Sequence, residues 1–246
     1  MPLAPFDALA IAVAAFFVGF FKATLGLAIG LLLVPVMVFV WPTRFVFGII
    51  AVQMWLSDYL ALKYFWKRWD GRLVKLVLPG FFFGIILGAY LLVQLPDFWI
   101  RKGLGALCLV FAGLQAVREF GRELAPPRLN SWMGVGIGLA GGTMSTLFHS
   151  GGLILNLYLL SQGVTKVPLV ATVIAVWILM NPVKLTSYWV GGIVNLQMFL
   201  ACLLAAPLTF AGVWAGKRAL EWAPQKAYNL GVLVLAAAAA VKLLAE

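Results

Sequence analysis

Long apolar runs separated by short polar connections fill almost the whole chain. Each run is close to the roughly 20 residues that a helix needs to cross the hydrocarbon core of a bilayer. The first half opens with an apolar stretch that is broken internally, and three unbroken runs follow it, at 6–40, 45–62, 73–95 and 99–117. The second half has the same order, at 132–160, 167–185, 196–215 and 228–244. The pattern predicts an all-helical protein with many spans.

The two halves also match residue by residue. An offset of 122 aligns glycine, threonine and tryptophan positions, as in Gly19 with Gly141, Thr24 with Thr146 and Trp55 with Trp177. After about six extra residues in the second half, an offset of 128 aligns Pro79 with Pro207 and Gly84 with Gly212. We therefore expect two repeats, 1–120 and 131–246, joined by a linker at 121–130. Such duplication is typical of secondary transporters, whose site lies where the repeats meet.

Composition agrees with a membrane protein. Apolar residues make up 64% of the 246 residues and charged residues only 11%, which excludes an ordinary soluble domain. The net charge of +10 comes from Lys and Arg in the connections between apolar runs, so the partner predicted for this charge is the bilayer surface and not nucleic acid. We expect a multi-pass protein of the inner (plasma) membrane.

The distribution of Lys and Arg favours one orientation of the repeats. If each broken stretch crosses once, the repeats are parallel and the basic residues divide ten inside against seven outside. If each broken stretch is a hairpin, the repeats are inverted and the division becomes twelve against five, with Lys22 left out. Because cytoplasmic loops are enriched in Lys and Arg, we predict two inverted repeats, each a broken-helix hairpin plus three transmembrane helices.

Catalytic and metal-binding patterns are absent from the sequence. The single histidine and eight acidic residues form no HExxH, GxSxG or Walker sequence, and Cys108 and Cys202 lie in apolar runs without CxxC spacing. We expect no enzyme, no cofactor and no metal. An intramembrane enzyme and a non-transporting membrane scaffold are the alternatives from other classes of protein.

The two breaks carry the candidate chemistry. Unwound backbone inside a membrane is tolerated only within protein or beside a watery cavity, and the amides at a helix N-terminus favour an anion. Polar or small residues gather at both breaks and predict an anion site there: Lys22, Thr24, Gly26, Ser145, Thr146, His149 and Ser150.

Each of these residues also has a structural interpretation. A buried lysine marks a functional site by default, but Lys22 could extend its ammonium to the membrane surface instead. His149 could contact the ligand, take up a proton or only hydrogen-bond a carbonyl. Thr24 and Thr146 could bond to carbonyls of their own helices.

Further candidates lie in the spans. Gln53 falls near the middle of its span, and its amide needs either a substrate oxygen or a neighbouring helix as partner. Trp55 and Trp177 are candidate cavity walls, and Asn181 lies one turn beyond Trp177 on the same face. We expect Asp58 to pair with a basic group such as Lys63 or Arg44, and we expect Lys184 to lie at the membrane interface.

Two halves of this size, each opening with a glycine-interrupted hairpin, and the late sequence Gly191-Gly-Ile-Val-Asn195 before a further span resemble the sulfite exporter (TauE/SafE) family of membrane transporters. The resemblance covers essentially the whole chain and implies transport of sulfite or an organosulfonate. We therefore expect alternating access around a midplane site for a sulfur-containing anion. Another small anion, such as a carboxylate, is the alternative within transport.

Overall fold

The computed structural model describes residues 5–24, 29–119, 129–164, 166–222 and 225–245. Within these ranges the chain is helical and contains no strand, which confirms the all-helical prediction. The helices of the first half are α1 (Pro5–Thr24), α2 (Ile29–Val38), α3 (Thr43–Phe65), α4 (Gly71–Gln94) and α5 (Asp97–Glu119). A short 3-10 turn, Ser131–Met133, precedes α6 (Gly134–Phe148), α7 (Gly151–Ser161), α8 (Lys166–Val190), α9 (Leu196–Leu204), α10 (Ala206–Trp222) and α11 (Gln225–Ala245).

Local chemistry explains several helix ends. The Asp70 carboxylate accepts hydrogen bonds from the backbone N–H groups of Arg72 and Leu73, at 2.9 and 3.1 Å, and so caps the start of α4. The Asn195 side chain accepts from Met198 N at 2.8 Å and caps α9 in the same way. Helix α6 ends because His149 takes the left-handed conformation, with φ of 52°.

The predicted span at 196–215 is bent and not straight. Helix α9 ends at Leu204, α10 begins at Ala206, and the two axes differ by 48°. Pro207 explains the break, since proline has no N–H to continue the helix and disfavours helical backbone at the residue before it.

Two of the described helices are long and apolar enough to cross a membrane by themselves, Gly71–Gln94 and Val167–Val190. The bent pair Leu196–Leu204 and Ala206–Gly216 makes a third if it is taken as one span. These lengths and compositions agree with a membrane protein, and the count of three transmembrane helices in each repeat stays a prediction.

Helix packing exchanges elements between the two halves. The most extensive contacts join α4 to α6, α1 to α10 and α5 to α11, and α3 packs against α8. Glycine makes the closest approaches possible: a Cβ at Gly84 would collide with the carbonyl oxygen of Leu139, and one at Gly212 with that of Phe16. Since α4 corresponds to α10 and α1 to α6, the first two contacts are equivalent in the two repeats.

Candidate functional site

A group of polar side chains lies among the apolar helices where α1, α3 and α8 approach the break between α6 and α7. Polar groups in such surroundings are costly and usually functional. We call this group the central polar cluster; it consists of Lys22, Ser57, Asp58, His149, Asn181 and Lys184.

Asp58 connects three helices. Its Oδ1 accepts from the Lys22 ammonium of α1, and its Oδ2 accepts from Asn181 Nδ2 of α8 at 2.9 Å. Lys22 also donates to Ser57 Oγ at 2.8 Å. The expected pairing of Asp58 with a basic group is confirmed, but the partner is Lys22 and not Arg44, and the side chain of Lys63 lies outside the described residues.

Arg44 has a different set of partners at the end of α4. Its guanidinium donates to the carbonyl oxygens of Leu92, Val93 and Leu95, at 3.2, 2.9 and 3.2 Å. These are among the last carbonyls of that helix and have no N–H partner within it. Arg44 therefore has a structural role away from the cluster.

His149 and Lys184 form the second part of the cluster. His149 Nε2 lies 3.1 Å from the carbonyl oxygen of Phe47, and Nδ1 lies 2.6 Å from Lys184 Nζ. Because a carbonyl oxygen can only accept, Nε2 carries the ring hydrogen and Nδ1 accepts from Lys184. His149 is thus held on both sides and joins α3 to α8 across the break.

Lys184 does not lie at the interface, so that expectation is wrong. Its exposure is 3%, and it donates to the carbonyl oxygen of Ser145 at 2.6 Å as well as to His149. Lys184 lies three positions after Asn181, which places both on one face of α8. That face packs inward, and the position near Pro182 gave no sign of this.

Helix α8 also satisfies the end of α6. Tyr188 Oη donates to the carbonyl oxygen of Thr146 at 2.5 Å, next to the bond from Lys184 to Ser145. The last carbonyls of a helix have no internal partner and carry partial negative charge. The cation and the phenol therefore stabilise a helix end that lies deep in the structure.

Ser150 is an available hydroxyl at the start of α7. It is 2% exposed, does not cap the helix, and within the described residues its Oγ has no hydrogen-bond partner. Buried polar atoms are nearly always bonded. An unbonded hydroxyl at a helix N-terminus, in the residue after His149, is suited to an anion.

Gln53 and Thr146 are occupied by protein partners. Gln53 is fully buried; its Nε2 donates to the carbonyl oxygen of Cys202 and its Oε1 accepts from Thr209, both at 3.0 Å. Thr146 Oγ1 donates to the carbonyl oxygen of Gly142 at 2.9 Å. These bonds agree with the structural interpretation of both residues: those of Gln53 hold α3 against α9 and α10, and that of Thr146 lies within α6.

The two tryptophans contact aromatic neighbours. Trp55 lies 5.8 Å from Phe199, and within the described part of the chain its buried Nε1 has no partner. Trp177 meets Phe81 edge to face at 5.5 Å. Both are partly exposed, as a cavity wall or a packing residue would be.

The first break is described only in part. Gly26 lies outside the described residues, and so does the side chain of Thr24. Gly30, in the first turn of α2, packs directly on the second break, since a Cβ there would collide with the carbonyl oxygens of Phe148 and His149. The start of α2 therefore lies against the second break.

Sequence reasoning did not identify three members of the cluster as site residues: Ser57, Asp58 and Lys184. For Asp58 a signal existed, because an acidic residue inside an apolar run marks a functional position by default. For Lys184 the signal was its spacing from Asn181. Within the described residues no three His, Cys, Asp or Glu side chains gather to hold a metal ion.

With Lys184 protonated, the central polar cluster carries one net positive charge. Lys22 and Asp58 form an ion pair and cancel. The hydrogen bond between Lys184 Nζ and His149 Nδ1 requires a lone pair on one of the two nitrogens, so the pair holds at most one positive charge, which it carries when Lys184 is protonated. In low-dielectric surroundings an unbalanced charge attracts a counter-ion strongly, and the arrangement can hold an anion.

Comparison with known protein families gave a match over nearly the whole chain. The model of the family described as "Sulfite exporter TauE/SafE" matches residues 11–243, nearly the whole chain. No curated protein matches the chain, and no solved structure does. Members of the family are membrane transporters, and the family implies export of sulfite or a related sulfur-containing anion. The helical, apolar architecture and the match over nearly the whole length lead to one conclusion: the chain belongs to the TauE/SafE sulfite exporter family.

Proposed function

We propose that this protein carries a sulfur oxyanion, a sulfonate or sulfite, across the inner (plasma) membrane by alternating access around a midplane site between two inverted repeats. The observation that carries the proposal is the buried pair of Lys184 and His149 beside a helix break, which gives the central polar cluster an unbalanced positive charge when Lys184 is protonated. Family membership supports the class of substrate.

The substrate site that we propose is centred on the second break. Lys184 and His149 face it from one side, and the Ser150 hydroxyl and the N-terminus of α7 supply further donors. A sulfonate has three acceptor oxygens in a tetrahedral head, so it needs several donors from different directions. Charge-assisted hydrogen bonds of this kind are about twice as strong as neutral ones.

Other residues have supporting roles in this proposal. Lys22 and Asn181 fix the Asp58 carboxylate, and the Ser145 carbonyl orients Lys184. We retain Trp55 and Trp177 as candidate walls for an apolar tail, and Thr24 and Gly26 as contributions from the first break. Gln53 holds α3 against α9 and α10, and the Thr146 hydroxyl bonds within its own helix.

The inverted relation of the repeats has two supports. Equivalent helices exchange partners, with α1 against α10 and α6 against α4, as a two-fold relation between repeats requires. The distribution of Lys and Arg favours an axis that inverts one repeat relative to the other. Lys184 was counted among the basic residues outside, and because it is buried it leaves that count, so the excess of Lys and Arg on the inside grows.

Counterflow in proteoliposomes tests the transport function. Liposomes loaded with unlabelled methanesulfonate should transiently accumulate labelled methanesulfonate from outside. Sulfite should compete with the label, and acetate, which is planar and has two oxygens, should not. Lys184→Met should abolish the uptake, and Gly136→Ala, at a position where an added Cβ meets no atom within 4 Å, should retain it.

Each alternative has a distinct outcome in this assay. Stronger competition by acetate than by sulfite would make a carboxylate the substrate. A scaffold or an intramembrane enzyme would exchange no intact label, and that result with correctly inserted protein would refute the proposal.

A further inference from the structure

We infer that His149 adapts the site to the charge of its substrate: a monoanion binds to the site as it stands, and a dianion binds together with one proton, which His149 receives. The inference rests on the proposed function, because it takes the central polar cluster as the anion site. It extends that function to the choice between singly and doubly charged substrates and to the ion that accompanies them.

The contact between Lys184 and His149 is the starting observation. The two nitrogens are 2.6 Å apart, and the side chains are 3% and 4% exposed. One of the nitrogens must contribute its lone pair, so with Lys184 protonated the pair is one proton short of its full charge. Nε2 is already committed to the Phe47 carbonyl, and the vacant protonation position is therefore shared between Nδ1 and Nζ.

The charged and titratable groups around this pair come from few elements. Helix α1 contributes Lys22, α3 contributes Asp58, which acts electrostatically on Lys184, and α8 contributes Tyr188. Tyr158 is the titratable residue of α7, and α2 has none. Arg72 and Lys75 of α4 are exposed near the start of that helix. Only Lys22 and Asp58 add charge within the cluster, and they cancel each other.

Binding of an anion changes what the pair requires. The Lys184 ammonium has three hydrogens, of which the Ser145 carbonyl oxygen and His149 Nδ1 accept two. An anionic oxygen that lies between Lys184 and His149 accepts from the ammonium in place of Nδ1. Nδ1 then lies buried with an unused lone pair. A proton from solvent that binds at this lone pair turns Nδ1 into a donor for a second oxygen of the same anion, while Nε2 keeps its bond to Phe47.

The charge of the anion decides whether that proton is needed. A monoanion neutralises the single positive charge of the cluster, and a further proton would leave the site charged. A dianion leaves one negative charge in a buried place, which is unfavourable without a counter-charge. Protonation of His149 supplies this charge, so the dianion and the proton bind together.

Two probes of matched shape test the inference. Methanesulfonate is a monoanion, and sulfate is a dianion with an oxygen in place of the methyl group; neither titrates near neutral pH. Calorimetric titration of the full-length protein in two buffers of different ionisation enthalpy measures the protons taken up. We expect uptake near zero with methanesulfonate and near one with sulfate, and sulfate affinity that rises up to about tenfold for each unit of falling pH, as linkage to one proton requires.

Substitutions of His149 give a second reading. His149→Asn suits the left-handed backbone at this position, and His149→Gln keeps one donor and one acceptor. In either variant sulfate binding should take up no proton, and the ratio of sulfate to methanesulfonate affinity should fall by at least about tenfold near pH 6 and lose its pH dependence. His149 is the only histidine of the chain, so no other imidazole can replace it.

Several results would overturn the inference. Sulfate binding without proton uptake, methanesulfonate binding with uptake of a proton, or failure of sulfate to bind where methanesulfonate binds would each contradict it while the proposed function stands. Binding of neither probe at any pH would refute the proposed function itself.

Discussion

The ion pair between Lys22 and Asp58 can be tested by neutralising each partner and then both. Lys22→Met keeps most of the side-chain length without the charge, and Asp58→Asn keeps the shape that Asn181 contacts. If the net charge of the cluster governs anion binding, Lys22→Met brings that charge from one to zero. The double variant restores it, because both members of a cancelling pair are then absent.

Magnitudes follow from the burial of the two partners. Removing one member of a buried pair costs about 3–5 kcal/mol, whereas replacing both by uncharged groups is often neutral. The Lys22 side chain is 19% exposed and that of Asp58 only 5%. Lys22→Met strands the more buried charge and should cost about 3 kcal/mol, while Asp58→Asn strands a partly hydrated ammonium and should cost about 1–2 kcal/mol. The double variant should lie within about 1 kcal/mol of the parent protein.

Anion affinity should follow net charge and not stability. One unit charge at about 7 Å with an effective dielectric constant of 20 contributes roughly 2 kcal/mol, or about thirtyfold in affinity. Methanesulfonate should therefore bind Lys22→Met at least about tenfold more weakly and bind the double variant with nearly the parent affinity.

The assay combines thermal unfolding, followed by tryptophan fluorescence in detergent, with calorimetric titration of methanesulfonate. Additive destabilisation in the double variant would show that the two side chains do not interact. A double variant that regains stability but binds as weakly as Lys22→Met would refute the charge argument and place the Lys22 ammonium in direct contact with the anion.

Three further experiments test the packing of α4 on α6, the role of the Gln53 amide in α3 and the topology. Gly138→Ala, where a Cβ would collide with the carbonyl oxygen of Val77, should lower the melting temperature. Gly136→Ala on the same helix should leave stability unchanged or raise it by up to about 1 kcal/mol through helix propensity. Equal effects of the two substitutions would contradict the close packing of α4 on α6. Gln53→Leu should cost about 1–3 kcal/mol of stability, because Cys202 O and Thr209 lose their hydrogen-bond partner. Both this variant and the control Met54→Leu should bind methanesulfonate within about twofold of the parent affinity. Lost affinity at unchanged stability in Gln53→Leu would return Gln53 to the site. In a protein with Cys108 and Cys202 replaced, single cysteines at the exposed positions Arg68 and Trp222 should react with an impermeant reagent from the same side of the membrane. A single cysteine at the exposed position Asp97 should react from the opposite side. Reaction of the first two cysteines from opposite sides would refute the inverted repeat.

The sequence predicted the helices well because the signal for them is local. Apolar runs and their punctuation gave the order of helices and the position of the second break, as with α4, expected at 73–95 and observed from Gly71 to Gln94. The bend at Ala205 was not predicted, although Pro207 lies beside it. A proline in a span does not by itself indicate a bend, since Pro79 at the equivalent place lies within the unbroken helix α4.

The partners of the polar residues could not be read from the sequence, since they depend on which helix faces meet. Lys22 and Asp58 are 36 positions apart, and Asp58 and Asn181 are 123 apart. Nothing in the spacing of Lys184 and His149 announces a contact between them. Their burial follows from the rotation of α8, which packing against α3 and α4 determines.

The bend between α9 and α10 explains why the two repeats differ at position 53. Pro207 lacks the N–H that would continue α9, and carbonyl groups near the end of that helix lose their usual donors. Gln53 donates to one of them, Cys202 O, and accepts from Thr209 beyond the bend, so one side chain binds both α9 and α10. In the other repeat the counterpart of Gln53 is Ala175, and α8 packs there against the unbroken α4. The glutamine of the first repeat supplies hydrogen bonds that the bend in the second repeat requires, and the unbroken α4 leaves no such requirement at Ala175.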